Sequence, residues 1–224
     1  MIENVPVKLF LVDDHAVVRQ GVKMMLSRYK DILVIGEASS GLRALELVRK
    51  NMPDIILMDI KMPGDIGGLG TTVKLKSTHP EIKIIILSTC EEEPLPARLM
   101  SAGASGYLHK SCTSKELVQA IRQVNKGVPY VTSKLLPQII QKAHTGKTGT
   151  PFDLLSDREM TVAMMLSNGL SPKEIAQKLC ISNKTVNTYR YRSFEKLKIN
   201  NNIELTHLAF KYKLTNKEEH VPET

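Results

Sequence analysis

The chain has little of what would place it outside the cytoplasm or inside a membrane. Its 224 residues include three cysteines and no tryptophan. An odd number of cysteines without metal-ligand spacing argues against a disulfide framework and against a zinc site. No apolar run approaches the roughly 18 residues of a membrane-spanning helix, and no charged-then-apolar leader opens the sequence. We therefore expect a cytoplasmic protein that has no membrane partner.

Acidic residues are fewer than basic ones, and the basic excess is unevenly distributed. The formal net charge is +8. Residues 171–199 contain seven lysines and arginines against two glutamates, which is a net +5 within 29 residues. Such a concentration fits a polyanionic partner, but a solvated lysine-rich surface has the same composition. Charge alone leaves both interpretations open.

The first part of the chain alternates short apolar runs with amphipathic stretches. Runs rich in Val, Ile and Leu occur at 7–12, 32–38, 54–59, 82–88 and 105–110. They lack a period of two, which is typical of strands that are covered on both faces. Helical patterns separate them. Five such repeats predict an α/β fold with a five-stranded parallel doubly wound sheet, for which we expect the strand order 2-1-3-4-5.

The second part of the chain shows only helical patterns. Residues 127–152 are interrupted by prolines and glycines and predict a linker, with a short helix near 133–143. Ser156 followed by Glu159 three residues later is the pattern of a capping box, and Ser171 with Glu174 repeats it. Two further helical patterns follow, at 182–197 and about 201–212. An all-α second domain is predicted.

Charged and polar residues stand where the predicted strands end. They are Asp13 and Asp14 after the first strand, Asp59 after the third, Ser88 at the end of the fourth and Lys110 after the fifth. The carboxyl ends of parallel strands share one edge of a sheet. Three carboxylates in one pocket cannot all stay ionised without a cation. Oxygen donors favour a hard ion, and Mg²⁺ also keeps water ligands for an incoming phosphate.

Asp59 beside such an ion has the chemistry of a nucleophile. An aspartate can attack a phosphoryl group to form an acyl phosphate, with the cation and Lys110 stabilising the developing charge. Ser88 would then donate to the new phosphoryl oxygens, and Tyr107 could rotate into the vacated space as a switch. Taken singly, each residue is better explained as a helix cap, a packing group or a surface charge. Their joint placement favours the chemical interpretation.

The predicted helices at 171–179 and 182–197 are close enough in sequence for a helix-turn-helix. Its second helix would enter the major groove of DNA. Val186 and Leu197 fall on the inward side of that helix, with Tyr189 and Phe194. Six polar or basic residues fall largely on its outer faces: Lys184, Thr185, Asn187, Thr188, Tyr191 and Arg192. Asn, Thr, Arg and Lys are residue types that contact bases and phosphates, although an ordinary amphipathic surface helix has the same pattern.

Four motifs of the first part resemble a response-regulator receiver domain: "LVDDH", "LMDIKMPG", "LS" and "GYLHK". The resemblance implies phosphorylation of Asp59 by a sensor histidine kinase. It also implies a Mg²⁺ site made by Asp13, Asp14, Asp59 and the backbone carbonyl of Lys61. The stretch "MPGDIGGLG" departs from the family pattern because it has an extra residue near Asp65. It also has Gly70 where the family usually has glutamate, which favours a longer loop and a softer helix start.

The stretch "LSDRE…GLSPKEIAQKLCISNKTVNTYRYRSFEKL" resembles the LuxR-type helix-turn-helix of the NarL/FixJ response regulators, and "TVNTYRYRSFEKL" is most similar to their GacA/UvrY/LetA branch. The resemblance implies that the six outer residues contact double-stranded DNA. It also implies a homodimer, paired through the last helix, on a promoter inverted repeat. The expected divisions are a receiver at 1–126, a linker at 127–152, a DNA-binding domain at 153–214 and a tail at 215–224.

Together these patterns predict a transcription factor that is switched by phosphorylation. One alternative is a constitutive DNA-binding regulator whose receiver is only a scaffold. Another is a Mg²⁺-dependent phosphatase with Asp59 as nucleophile. Haloacid-dehalogenase-like enzymes need a second aspartate two residues later, where this chain has Lys61. We therefore expect no enzyme, only a phospho-acceptor with at most slow self-dephosphorylation.

Overall fold

The computed structural model describes residues 5–62, 65–89, 95–137, 139–140, 150–212 and 214–215. Within these ranges an α/β part is followed by an all-helical part, as the sequence predicts. No helix in the described ranges combines the length and apolarity that crossing a bilayer requires. Of the predicted tail at 215–224, only Thr215 lies within the described residues.

A parallel sheet runs through the first part. Its strands are β1 (Val7–Val12), β2 (Ile32–Ala38), β3 (Ile55–Met58), β4 (Lys83–Ser88), β5 (Gly106–His109) and β6 (Tyr130–Val131). The order is β2-β1-β3-β4-β5-β6, and all pairs are parallel. This confirms the predicted order of the first five strands. Because Val12 pairs with Met58, the residues that follow β1 and β3 leave the sheet side by side.

Helices cover both faces of the sheet. They are α1 (Ala16–Leu26), α2 (Gly41–Asn51), α3 (Gly67–Thr78), α4 (Leu95–Ser101) and α5 (Ser114–Asn125). On β1, Leu9 and Leu11 pack in one apolar cluster with α1 and α5, whereas Phe10 and Val12 pack in the other with α2, α3 and α4. Successive strand residues therefore both enter a core, which explains the missing period of two.

The sheet has a sixth strand that the sequence did not indicate. β6 lies inside the predicted linker, where the Tyr130 N–H donates to the Ser105 carbonyl at 3.1 Å. Its two residues pair with the otherwise open edge of β5, and two residues are too few to show a periodic pattern. Of the predicted helix near 133–143, residues 136–137 and 139–140 are helical, and positions 138 and 141–143 lie outside the described residues.

The helical part begins with a 3₁₀ helix at Pro151–Leu154. Its four α-helices are α6 (Asp157–Ser167), α7 (Pro172–Leu179), α8 (Asn183–Leu197) and α9 (Asn202–Lys211). Both predicted capping boxes are present, at Ser156 with Glu159 and at Ser171 with Glu174. Each satisfies two backbone N–H groups that the helix cannot satisfy itself. These local signals explain where α6 and α7 begin.

Apolar packing and one ion pair hold α8 against α6. Val186 and Leu197 on α8 are buried in the apolar cluster that also contains Phe10 and Val12 and that extends through the helical part. Lys196 Nζ lies 2.6 Å from Glu159 Oε2, and the Glu159 carboxylate is almost completely buried. The Ser193 hydroxyl donates to the Tyr189 carbonyl at 2.8 Å on the same buried side. The inner side of α8 is thereby fixed, and its outer side remains at the surface.

The two parts of the chain are in direct contact through Arg98 on α4. Its guanidinium donates from Nη2 to the carbonyls of Phe152 (2.6 Å) and Leu155 (2.5 Å) and from Nη1 to the Asp157 carboxylate (3.2 Å). Arg98 is only 5% exposed. A buried arginine needs such partners, because an unpaired buried charge is costly.

Gly70 on α3 forms a second point of contact. A Cβ placed there would lie 3.1 Å from Thr161 Cγ2 on α6, closer than most real Cβ contacts. The glycine that departs from the family pattern therefore leaves room for the helical part. The helix α3 starts at Gly67 with no side-chain cap.

Candidate functional site

The carboxyl ends of β1, β3 and β5 bring three charged side chains into contact. Asp13 follows β1, Asp59 follows β3 and Lys110 follows β5. Lys110 Nζ lies 2.7 Å from Asp13 Oδ2 and 2.9 Å from Asp59 Oδ2. The Asp59 side chain is 4% exposed, and its Oδ1 accepts the backbone N–H of Ile60 at 2.7 Å. The structure thus joins residues that are as much as 97 positions apart in the sequence.

The electrostatic environment opposes ionisation of Asp59. Burial raises the pKa of the Asp59 carboxyl, and the neighbouring Asp13 raises it further, although the charge of Lys110 acts in the other direction. Burial alone would lower the pKa of Lys110, but the charges of Asp59 and Asp13 outweigh it and the pKa ends above its ordinary value. The lysine is therefore held in its charged form beside a carboxylate that lacks full compensation.

Asp13, Asp14, Asp59 and Lys110 form the rim of the sheet at the carboxyl ends of its strands. This rim offers the donor set of a hard divalent cation. Carboxylate oxygens of Asp13, Asp14 and Asp59, with a ring nitrogen of His15, lie within 4.8 Å of one another. Asp14 Oδ1 is inaccessible to solvent, and His15 Nδ1 lies 2.7 Å from it. An additional positive charge would satisfy this oxygen and the excess of acidic groups. The arrangement fits Mg²⁺.

The other predicted site residues lie around this rim. Ser88 ends β4 and is buried, and its carbonyl accepts the backbone N–H of Lys110 at 2.9 Å. Tyr107 is completely buried in the apolar cluster that contains α3 and α4. Lys61 is partly buried and lines the cavity that opens above Asp59. All three lie near the acidic group, and the roles predicted for them stay predictions.

Three residues of this site were missed by the sequence reasoning. His15 Nδ1 lies 2.7 Å from Asp14 Oδ1, and the Arg19 guanidinium donates to the Asp13 carbonyl at 2.7 Å. Asp65 is buried and lines the cavity. The adjacency of His15 to the acidic pair was a usable signal. Nothing local distinguished Asp65 from a loop residue.

The cavity above Asp59 has a volume of about 470 Å³ and is formed by both parts of the chain. From the helical part it is lined by Thr161, Met164, Met165, Asn168, Leu214 and Thr215. No local pattern in the sequence indicates that residues of both parts line one cavity. The acidic residues and α6 therefore face the same cavity.

The helix α8 presents a polar and basic outer side. Lys184, Thr188 and Arg192 are exposed, Tyr191 is 63% exposed, and Thr185 and Asn187 are partly exposed. The Arg190 guanidinium lies 5.0 Å from the centre of the Tyr191 ring, an arrangement that adds a third cation beside Lys184 and Arg192. α7 and α8 are separated by only three residues, which gives the two helices the connection of a helix-turn-helix.

Three of the predicted DNA-contacting residues also have local roles in the helix, and one of them is Asn187, whose amide group donates to the Asn183 carbonyl at 3.1 Å. Thr185 donates its backbone N–H to the hydroxyl of Ser182 at 3.0 Å, which caps α8. The Thr188 hydroxyl donates to the Lys184 carbonyl at 2.9 Å. The side chains of Lys184, Tyr191 and Arg192 have no such role among the contacts described, and they project from the surface. These three have the greatest freedom to meet a ligand.

Comparison with protein families matches both parts of the chain. Residues 9–122 match the family described as response regulator receiver domain. Residues 153–209 match the family described as bacterial regulatory proteins, luxR family. The first match ends just before α5 does, and the second spans the 3₁₀ helix through most of α9.

Two response regulators resemble the chain over nearly its whole length. The response regulator GacA of Pseudomonas aeruginosa is 46% identical over 207 residues, which are 92% of this chain and 96% of the relative. The response regulator UvrY of Escherichia coli K12 is 45% identical over 213 residues, 95% and 97% of the two chains.

A solved structure of RcsB from Salmonella enterica serovar Typhimurium, bound to promoter rprA in the presence of phosphomimetic BeF3-, has a similar fold. Its TM-score is 0.69, its sequence is 21% identical, and the match covers 91% of this chain and 98% of that one. At this identity the likeness supports the fold and nothing finer.

Proposed function

The chain belongs to the NarL/FixJ response regulators and is a phosphorylation-activated DNA-binding regulator, and we propose that a sensor histidine kinase activates it by transferring a phosphoryl group to Asp59. The observation that carries this assignment is the contact of Lys110 with both Asp59 and Asp13 at the carboxyl ends of neighbouring strands. Among the described residues, Asp59 is the buried carboxylate that combines this lysine with an acidic pair and an adjoining cavity.

The residues of the rim divide the work of the transfer. A carboxylate oxygen of Asp59 attacks the phosphorus, and the bond from phosphorus to the donor nitrogen breaks, so that nitrogen keeps the electron pair. The ammonium of Lys110 lies where negative charge develops on the transferred oxygens. Ser88 donates its hydroxyl to one of these oxygens, and Tyr107 changes rotamer as the β4 end moves.

Magnesium fits the acidic group, and we assign it to Asp13, Asp14, Asp59 and the backbone carbonyl of Lys61. When bound, the ion neutralises the acidic group and the incoming phosphoryl oxygens. The donor set supports this assignment, because the carboxylate oxygens of Asp13, Asp14 and Asp59 lie within 4.8 Å of one another.

DNA binding is assigned to the outer side of α8. We propose that Lys184, Thr185, Asn187, Thr188, Tyr191 and Arg192 contact the major groove and its phosphates. The homodimer would pair through α9, where Ile203 is 71% exposed and Phe210 lies seven residues later on the same side. A twofold dimer then places two copies of α8 on an inverted repeat in the promoter.

Phosphorylation with acetyl phosphate and Mg²⁺ tests the central assignment. We expect the wild type to gain one phosphoryl group, detected by intact-mass spectrometry, and D59A to gain none. A matched control is D54A, because Asp54 precedes the same strand and lies at its opposite end. A phosphoryl group retained on D59A contradicts the assignment.

The constitutive alternative has one observation in its favour. The outer side of α8 is exposed to solvent, so DNA binding that needs no signal from the receiver has an accessible surface. Affinity for duplex DNA, measured for wild type and D59A with and without acetyl phosphate, separates the two functions. Equal affinity in all four samples supports a receiver that serves only as a scaffold. A gain confined to treated wild type supports the switch.

Catalytic turnover is not part of the proposed function. We infer at most slow hydrolysis of the protein's own acyl phosphate. Lys61 occupies the place where haloacid-dehalogenase-like enzymes need an aspartate as general acid. Multiple turnover of an exogenous phosphoester, such as p-nitrophenyl phosphate, would contradict this proposal.

A further inference from the structure

Asp65 lies near the extra residue of the segment after the acceptor strand, and it is buried rather than exposed in a loop. Its Oδ2 accepts the backbone N–H of Leu42 at 3.1 Å, in the first turn of α2. Its Oδ1 accepts the backbone N–H of Ile66 at 2.7 Å. A carboxylate at a helix N-terminus is favourable because the N–H groups there are otherwise unsatisfied. Asp65 therefore ties the start of α3 to the start of α2.

The close packing beside the two hydrogen bonds of Asp65 requires a glycine at position 41. A Cβ at Gly41 would overlap the hydroxyl oxygen of Thr71 on α3 and lie 3.2 Å from Asp65 Oδ2. Thr71 in turn donates its hydroxyl to the Gly67 carbonyl at 2.7 Å. The backbone of the first turn of α2 thus packs against the Thr71 side chain of α3, with the Asp65 carboxylate beside it.

The same segment lies directly against Asp59. The Gly68 N–H donates to the Ile60 carbonyl at 2.9 Å, and a Cβ at Gly68 would overlap the Asp59 carbonyl oxygen. The start of α3 therefore rests on the backbone of the acceptor residue. A displacement of this segment cannot leave Asp59 and Lys61 in place, because close packing transmits it.

We propose that Asp65 is a positioning residue for phosphoryl transfer: it links the segment after β3 to α2 and thereby holds the Asp59 carboxylate and the Lys61 carbonyl toward the acidic pair. This inference rests on the proposed function, since it assumes that Asp59 accepts the phosphoryl group. Asp65 itself touches neither the donor nor the reacting atoms.

A graded set of variants of the full chain tests the inference. D65A removes both hydrogen bonds, and D65N keeps one acceptor oxygen at the same volume. D54A is the control, because it removes a carboxylate that accepts a backbone N–H at the other end of β3. There Asp54 Oδ2 accepts the Lys8 N–H at 2.7 Å. The readouts are the rate of phosphorylation by acetyl phosphate, the affinity for Mg²⁺ by calorimetry and the thermal unfolding midpoint. All rates are measured well below that midpoint.

We expect D65A to lose about tenfold in phosphorylation rate, because small displacements in a reactive site are costly. Its Mg²⁺ affinity should fall as well. D65N should be intermediate, and D54A should match the wild-type rate and Mg²⁺ affinity. G41A is an independent variant, since its added Cβ forces α2 away from Thr71 and Asp65, and it should resemble D65A.

The outcomes separate the two proposals. If wild type takes no phosphoryl group on Asp59, the proposed function fails. If wild type is phosphorylated and folded D65A keeps its rate and its Mg²⁺ affinity, only the positioning role fails. Equal losses in D65A and D54A also reject it, because they indicate a general loss of stability. Should D65A not fold, a wild-type rate in D65N gives the same rejection.

Discussion

The receiver and the DNA-binding domain each bury a carboxylate against a lysine, and the surroundings of the two pairs differ. In the receiver, Asp59 lies 2.9 Å from Lys110, with Asp13 as a second acidic neighbour of the lysine. In the DNA-binding domain, Glu159 lies 2.6 Å from Lys196 and also accepts the Ser156 N–H at 2.8 Å.

The two carboxyls consequently shift in opposite directions. Burial raises the pKa of Asp59, and Asp13 adds to that shift against the effect of Lys110. Burial acts in the same sense on Glu159, but hydrogen bonds from Lys196 and Ser156 overcome it and leave the pKa lowered. A buried carboxylate with too little compensating positive charge is suited to reaction. A buried carboxylate whose charge is compensated by a lysine and a backbone N–H stabilises the packing of two helices.

Replacing each of the two lysines by alanine should give the largest difference in phosphorylation rate between the two pairs. K110A should reduce the phosphorylation rate by about 100-fold, because it removes the cation that faces the developing charge. K196A should leave that rate unchanged and lower the thermal unfolding midpoint. Both are measured with acetyl phosphate and Mg²⁺, alongside thermal unfolding. Similar rates for the two variants would show that Lys110 is structural as well.

The two domains are not independent bodies, because Arg98 on α4 hydrogen-bonds to the start of the DNA-binding domain. R98A removes the donor that the carbonyls of Phe152 and Leu155 share and should cost about 2 kcal/mol of stability. Amide hydrogen exchange should accelerate at residues 152–157. R43A is a suitable control, because Arg43 is an exposed arginine paired with Glu46 within α2. Unchanged exchange in R98A would mean that this contact contributes nothing in solution.

The pH dependence of Glu159 sharpens the comparison further. A lowered pKa in the folded state gives stability that is complete above the ordinary value of 4.5 and is lost as the pH falls through the folded value. E159Q should therefore be about 1 kcal/mol less stable than wild type at pH 7, a modest cost because the lysine end is 40% exposed. Denaturant unfolding should show the gap closing in acid, and a gap that widens there contradicts the sign.

The smallest effect concerns the outer side of α8. K184A should weaken binding to duplex DNA of any sequence and reduce the slope of log affinity against log salt by about 0.9, the contribution of one phosphate contact. K115A, in which an exposed lysine of the receiver is replaced, should leave the slope unchanged. Fluorescence anisotropy over a salt series measures both. An unaltered slope in K184A removes Lys184 from the phosphate contacts.

Much of the fold was predictable because its signals are local. The strand order and the two capping boxes were predicted, and Val186 and Leu197 were placed on the buried side of α8. The capping boxes and the inward positions rest on short stretches whose polar spacing or periodicity reflects backbone hydrogen bonding, whereas the strand order follows from the repeated strand–helix pattern of a doubly wound sheet. β6 was missed because two residues carry no period.

The site was predictable to the extent that strands deliver residues to one rim. Asp13, Asp59 and Lys110 follow three strands, so the topology alone brings them together. The buried role of Asp65 was not predictable, because its partner Leu42 is 23 positions away and on another connection. An added residue in a loop gives no sign of whether it points to solvent or into a tie between helices.

The sequence by itself determined the two domains, their elements and the chemical character of the rim and of α8, since those follow from residue type and from spacing within a few turns or strands. Only the tertiary structure decided that the domains share a cavity above Asp59, that Arg98 reaches carbonyls 54 and 57 positions away, and that Gly70 leaves room for Thr161. These features depend on how packed surfaces meet, and no local pattern encodes the meeting of distant surfaces.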